Sequence, residues 1–172
     1  SPIGSLELPD LDNNYTWQLC RRVAEAFVAY EVRLPLFGLP TIASTLNIAV
    51  NLYGEEILVE MLINPENAYK DLKTINNLLC KLHSYYQSVI PTQQLQPVIS
   101  WNRTQPPRYG QICGCTNQLV SGETYKDLIA DLDNELLGMY PKGGMIHLCG
   151  SHLQHIEAFR NMPNLKAIQV ND

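Results

Sequence analysis

Pro141-Lys142-Gly143-Gly144-Met145-Ile146-His147-Leu148-Cys149-Gly150 is a turn, a nearly continuous apolar run and a second turn. A run of this length and character reads as a buried parallel strand. Ser121 caps a helix upstream whose inner side carries Tyr125, Leu128, Ile129, Leu132, Leu136 and Leu137. Downstream, His152 to Asn161 reads as a short helix and Leu165 to Val170 as the next strand. Helix, turn, strand, helix, strand is the rhythm of a parallel α/β fold. Gly150 ends the central strand and permits a sharp turn.

Working outward, Asn14 to Tyr30 reads as an amphipathic helix with an apolar stripe of Leu19, Val23, Ala26, Phe27 and Tyr30. Residues 32–38 read as a strand, although Pro35 disfavours a central position. Thr41 is placed to cap a helix through Ile48, and residues 52–62 form another short amphipathic unit. Asn64-Pro65 opens a long helix to about Ser88, with Leu72, Ile75, Leu78, Leu79 and Leu82 on its buried face and His83 at a surface or boundary position. Residues 97–101 and 109–113 suggest two further strands around an irregular loop. Residues 1–13 lack periodicity and read as linker or surface coil.

The chain has 172 residues, 45% hydrophobic and 17% charged. That suits one domain with a sizeable core. No run approaches about 18 apolar residues, so no membrane-spanning helix is expected. A net charge of -5, with Arg21-Arg22 the one adjacent basic pair, argues against a nucleic-acid partner. The opening Ser1-Pro2-Ile3-Gly4-Ser5 reads as an internal segment or a tag remnant. The spacing of the five cysteines does not suggest a disulfide framework, which points to a reducing cytoplasm. Cys20 and Cys80 fall in helical patterns and read as small buried hydrophobes.

His147 and Cys149 are two apart on a strand, so their side chains point the same way. An imidazole beside a thiolate can hold zinc or serve a reactive centre. Cys113 and Cys115 bracket Gly114 with the same spacing, and either one can complete a local site. The bland alternative is a set of buried or partly exposed thiols. His152 and His155 share a helix face near the strand end, where helix-start hydrogen bonding is the plainer role. Tyr109 is placed to face an apolar cofactor or to pack in its loop. Asp172 closes the last strand, a favoured position for substrate contacts.

From about Ser121 to Asp172 the chain resembles the uroporphyrinogen decarboxylase superfamily. The resemblance rests on Ser121-x-x-x-Tyr125, the Pro-x-Gly-Gly turn, Ile146-His147-Leu148-Cys149-Gly150 and a strand ending in Asn171-Asp172. Leu36-Phe37-Gly38-Leu39-Pro40, Leu52-Tyr53-Gly54-Glu55-Glu56 and Asn64-Pro65-Glu66 extend it upstream. It implies a partial (β/α)8 TIM barrel, because a closed barrel takes about 250 residues. It also implies an active site at the C-terminal mouth.

One branch of the family decarboxylates tetrapyrroles without metal, through an arginine-rich motif not found in this chain. The other consists of corrinoid-dependent methyltransferases of the methylcobalamin:coenzyme M type. Their zinc site uses a His-x-Cys motif and a later cysteine, and His147 and Cys149 match the first two ligands. The resemblance thus implies a zinc-dependent enzyme in which His147 and Cys149 act at the metal and the later cysteine belongs to a strand beyond Asp172. Within this chain Cys115 is the local candidate for the third metal ligand beside His147 and Cys149, Asp172 joins them as a catalytic candidate by its place at a strand end, and His152 and Tyr109 are the candidates to contact the corrinoid. The partners implied are a small-molecule thiol or a corrinoid protein. The alternatives are a decarboxylase-like lyase and a truncated, non-catalytic relative completed by a second copy or another subunit.

Overall fold

The computed structural model describes residues 2–30, 42–94, 98–100, 103–104, 106 and 108–171. Parallel strands β1 (Ile42–Ala43), β4 (Gly110–Cys113), β5 (Gly144–Cys149) and β6 (Leu165–Asn171) form one sheet in the order β1–β4–β5–β6. β2 (Val98–Ser100) and β3 (Arg103–Thr104) pair antiparallel in a separate ribbon. The main sheet runs in chain order, so each crossover advances in one direction and the described strands contain no reversal of a doubly wound kind. The fold is mixed α/β with β1 and β6 at the edges of the described sheet. A closed barrel is not shown.

Between β1 and β4 lie α2 (Thr45–Tyr53), α3 (Glu56–Ile63) and α4 (Pro65–Val89). Between β4 and β5 lie a 3-10 turn (Cys115–Leu119), α5 (Gly122–Leu128) and α6 (Ala130–Gly138). Between β5 and β6 lie a 3-10 turn (Leu153–His155) and α7 (Ile156–Arg160). Strand alternation sends Ile112, Ile146 and Leu148 to one face, where all three are buried. Gln111, Cys113, Met145, His147 and Cys149 occupy the other face. The registers Cys113↔His147 and His147↔Gln169 put the end of β4 level with His147 and Gln169, and β5 and β6 run two residues further, to Cys149 and Asn171.

Local chemistry explains the element ends. Ser121 Oγ accepts from Thr124 N and opens α5, as its sequence suggests. The expected single helix breaks at Ile129 into α5 and α6. α2 is capped by Ser44, three residues beyond Thr41, and continues past Ile48 to Tyr53. The expected strand at 32–38 lies outside the described residues. No helix among the described residues is long and apolar enough to cross a membrane.

Packing departs from the expected stripes in two places. α1 (Tyr15–Ala29) does not bury Leu19, Val23 and Tyr30, which are exposed. It docks on α4 instead, through Ala24, Trp17 and Val28, with the Trp17 ring edge-on to Tyr85 and Tyr86. On α4, Leu72 and Ile75 are buried, but Leu78, Leu79 and Leu82 line a cavity of about 390 Å³ shared with Trp17 and Ile48. His83 is buried rather than at the surface. Its Nδ1 meets Tyr140 Oη at 3.1 Å, and burial pulls its pKa down to about 4. Residues 2–14 hold neither helix nor strand, but Gly4 N and Leu6 N donate to the buried Asp71 carboxylate at 2.8 and 2.9 Å.

Candidate metal centre

β4 and β5 end side by side, and the chain after each strand turns sharply. Gly114 N donates to His147 O at 2.8 Å, extending the ladder one residue past β4. A Cβ on Gly114 would lie 2.7 Å from Asn117 Nδ2 and 3.1 Å from Ile146 Cγ2, so glycine is what lets the turn fold inward there. Cys115 therefore sits on the 3-10 turn rather than on the strand, folded back toward β5.

The result is a row of sulfurs capped by an imidazole. Cys115 Sγ lies 3.3 Å from Cys113 Sγ and 3.2 Å from Cys149 Sγ. Cys149 Sγ lies 3.4 Å from His147 Nε2. The ligand atoms of Cys113, Cys115 and His147 all lie within 4.8 Å of one another. His147 is buried and the three cysteines are half-buried.

Two contacts orient the ligands. His147 Nδ1 meets Gln169 Oε1 at 3.0 Å. With the amide oxygen accepting, Nδ1 carries the proton and the Nε2 lone pair faces Cys149. On the other side, Asn47 Nδ2 donates to Cys113 Sγ at 3.8 Å. Asn47 Oδ1 accepts from Thr116 N at 3.1 Å and from the Thr116 hydroxyl, which ties the start of α2 to the cysteine turn.

The donor set fits a soft cation. Around a tetrahedral zinc, ligands at about 2.3 Å (sulfur) and about 2.0 Å (nitrogen) stand about 3.8 Å apart for sulfur pairs and about 3.5 Å for sulfur and nitrogen. The sulfur neighbours, at 3.3 and 3.2 Å, stand about half an ångström closer than that, the Cys149–His147 gap of 3.4 Å is close to it, and the Cys113, Cys115 and His147 atoms all lie within 4.8 Å of one another. Burial, followed by the neighbouring Cys149 and Cys113, pushes the Cys115 thiol up to about 12. A bound cation reverses that effect by favouring thiolates.

The expected site residues do not all meet. His147, Cys149 and Cys115 come together, and Cys113 joins them. His152 stands beside the centre, but its Nε2 meets the Cys149 carbonyl oxygen at 2.9 Å, so it shapes the strand end. His155 is fully buried, with Nε2 on the Asn117 carbonyl oxygen at 2.8 Å and its ring 4.6 Å from Tyr125. Tyr109 is not brought to the centre. It precedes β4, at the opposite end of that strand from Cys113, with the Lys142 ammonium 5.4 Å from its ring. Asp172 lies outside the described residues. Cys20 and Cys80 are half-buried free thiols, and burial pushes Cys80 up to about 11.

Asn47 escaped sequence reasoning because it lies 66 residues from Cys113. Its position three after Ser44 marks a helix start and gives no sign of a cysteine contact. No family model, no curated protein and no solved structure matches this chain.

Proposed function

We propose that His147, Cys149 and Cys115 hold a zinc ion and that the protein activates a thiol for methyl transfer from a corrinoid. The observation that carries this reading is the convergence of those three ligands at the C-terminal ends of adjacent parallel strands, the usual place for chemistry in α/β folds. A zinc ion held there would lower the pKa of an incoming thiol and keep it as a thiolate. The protein's own share is orientation. Gln169 fixes the His147 ring, and the 3-10 turn presents Cys115 from the neighbouring strand end.

Strand order supports a barrel segment, because sequential parallel strands added on one side are how a (β/α)8 barrel is built. The corrinoid donor and the methyl-transfer step come from the resemblance of the Ile146–Gly150 stretch. Five free cysteines accord with a cytoplasmic setting.

The test begins with metal content. The purified chain should carry about one zinc per molecule, and His147→Ala, Cys149→Ala and Cys115→Ala should each abolish stoichiometric binding. The zinc-loaded protein should then raise the rate at which a small aliphatic thiol is methylated by a methylated corrinoid. A folded protein without zinc affinity overturns the reading. So does a zinc protein that leaves that rate unchanged.

A further inference from the structure

Cys115 stands between two other sulfurs, 3.3 Å from Cys113 Sγ and 3.2 Å from Cys149 Sγ. Two sulfurs on one tetrahedral zinc stand about 3.8 Å apart, and two joined in a disulfide about 2.05 Å. The row lies between those arrangements, and a closure of about 1.2 Å turns either contact into a covalent bond. All three thiols are free and half-buried, open to a compact reagent.

The two contacts are not equivalent. Cys113 is held from the start of α2: its carbonyl oxygen accepts from Ser44 N at 2.7 Å, and its Sγ from the Asn47 amide at 3.8 Å. A bond from Cys113 to Cys115 would close a ring across Gly114 alone. Cys115 lies outside the sheet on the 3-10 turn, and Cys149 ends β5 just before Gly150 turns the chain at φ +77°. Both stand where the chain leaves the sheet, and they are 34 residues apart in sequence. A cross-link over a loop of that length restrains the unfolded chain far more than one across a single residue, which favours it in the folded protein.

The geometry points to a reversible disulfide between Cys115 and Cys149, formed by exchange with a small-molecule disulfide, as a modification site that opposes metal binding. The Cys115 Sγ–Cys149 Sγ bond forms and the sulfur–sulfur bond of the small disulfide breaks, through a mixed disulfide on one of the two cysteines. The protein sulfurs give up two electrons, and the small disulfide leaves as two thiols that carry away both thiol protons. A dithiol reverses the exchange. The bond follows from the sulfur positions alone. Its opposition to metal rests on the zinc reading above, because it removes two of the three ligands proposed there.

The test treats the purified, chelator-stripped chain with 2-hydroxyethyl disulfide, blocks the remaining thiols, digests with trypsin without reductant and maps the peptides by mass. Cleavage after Lys and Arg puts Cys113 and Cys115 together in residues 109–126 and Cys149 in residues 143–160. The native chain should yield these two peptides cross-linked, and dithiothreitol should separate them. Cys113→Ser should give the same cross-link, and Cys115→Ser should give none. A cross-link in Cys115→Ser, a bridge within 109–126 in the native chain, or mixed disulfides alone would each overturn the proposal.

Zinc separates the two readings. One equivalent added before the oxidant should slow cross-linking by about tenfold or more, and the cross-linked chain should retain no zinc. If the cross-link forms at the same rate with zinc present, the zinc reading falls and the disulfide stands. If zinc binds tightly and the stripped chain forms no cross-link, the disulfide falls and the zinc reading stands. A cross-linked chain that still holds one zinc refutes their opposition.

Discussion

Asp133 is fully buried, and burial pushes its pKa up to about 7. The Tyr125 hydroxyl donates to its Oδ2 at 2.9 Å and Asn117 Nδ2 at 3.2 Å, and both bonds pull the other way without cancelling the desolvation. A carboxyl raised above its unfolded value of about 3.9 binds its proton more tightly when folded. Its contribution to stability is full below about pH 4 and is lost as pH rises through 7. Each unit of difference is worth about 1.4 kcal/mol, so the slope is measurable. Buried His83, whose pKa falls to about 4, contributes the opposite slope up to about pH 6.5, so the test is a difference: between pH 4 and 7 the urea midpoint of the native chain should decline relative to that of Asp133→Asn, which keeps an acceptor for Tyr125. Parallel curves for the two proteins would refute the assignment. Gly150 makes a second prediction at this scale. Its φ of +77° is a conformation that side-chain-bearing residues rarely adopt, and a Cβ there would meet Gln118 Oε1 at 2.2 Å. Gln118 is exposed and free to move, so backbone strain dominates the cost. Gly150→Ala should lose about 1–2 kcal/mol in denaturant titrations and lower metal affinity by displacing Cys149.

α1 shows where sequence periodicity stops deciding. Its expected stripe of Leu19, Val23, Ala26, Phe27 and Tyr30 and its actual docking face of Trp17, Ala24 and Val28 are both apolar with helical spacing. The choice belongs to α4, whose Tyr85 and Tyr86 offer edge-on partners to Trp17. Trp17→Ala should therefore cost about 2 kcal/mol, less than a fully buried tryptophan because Trp17 is half-buried. Val23→Ser, at an exposed position, should stay within about 0.5 kcal/mol of the native chain. Equal losses from both would restore the stripe read from sequence. β5 was legible for the opposite reason: a short apolar run bounded by glycines has one compact solution in a parallel sheet. The same holds for the His147–Cys149 pair, because two-residue alternation is a local rule. Cys115 lies beyond the strand read at 109–113, where that rule no longer applies, and the 3-10 turn after Gly114 carries it toward Cys149 by a tertiary route. The break at Ile129 was likewise hidden, because the apolar pattern runs through it without a proline or glycine.

Across the whole molecule, the helix-side face of the sheet is covered unevenly. Ile112, Ile146 and Leu148 are buried, while their neighbours across the register on β6, Ile168 and Val170, are 39% and 60% exposed. Leu153 and Ile156 border the same region, and together these side chains line an open cavity of about 480 Å³. β6 is also an edge of the described sheet, so unpaired backbone groups lie beside apolar surface. An edge of this composition promotes association. The purified chain should sediment above its 19.4 kDa monomer mass as concentration rises. Replacing Ile168 and Val170 together by lysine should restore the monomer, because two ammonium groups on that face oppose both apolar contact and strand pairing. Leu62→Lys serves as the control. Leu62 is 74% exposed on α3 and lies outside this region, so the change should leave association untouched. A chain that stays monomeric at every concentration, or one whose association responds equally to both changes, removes the β6 face as its cause.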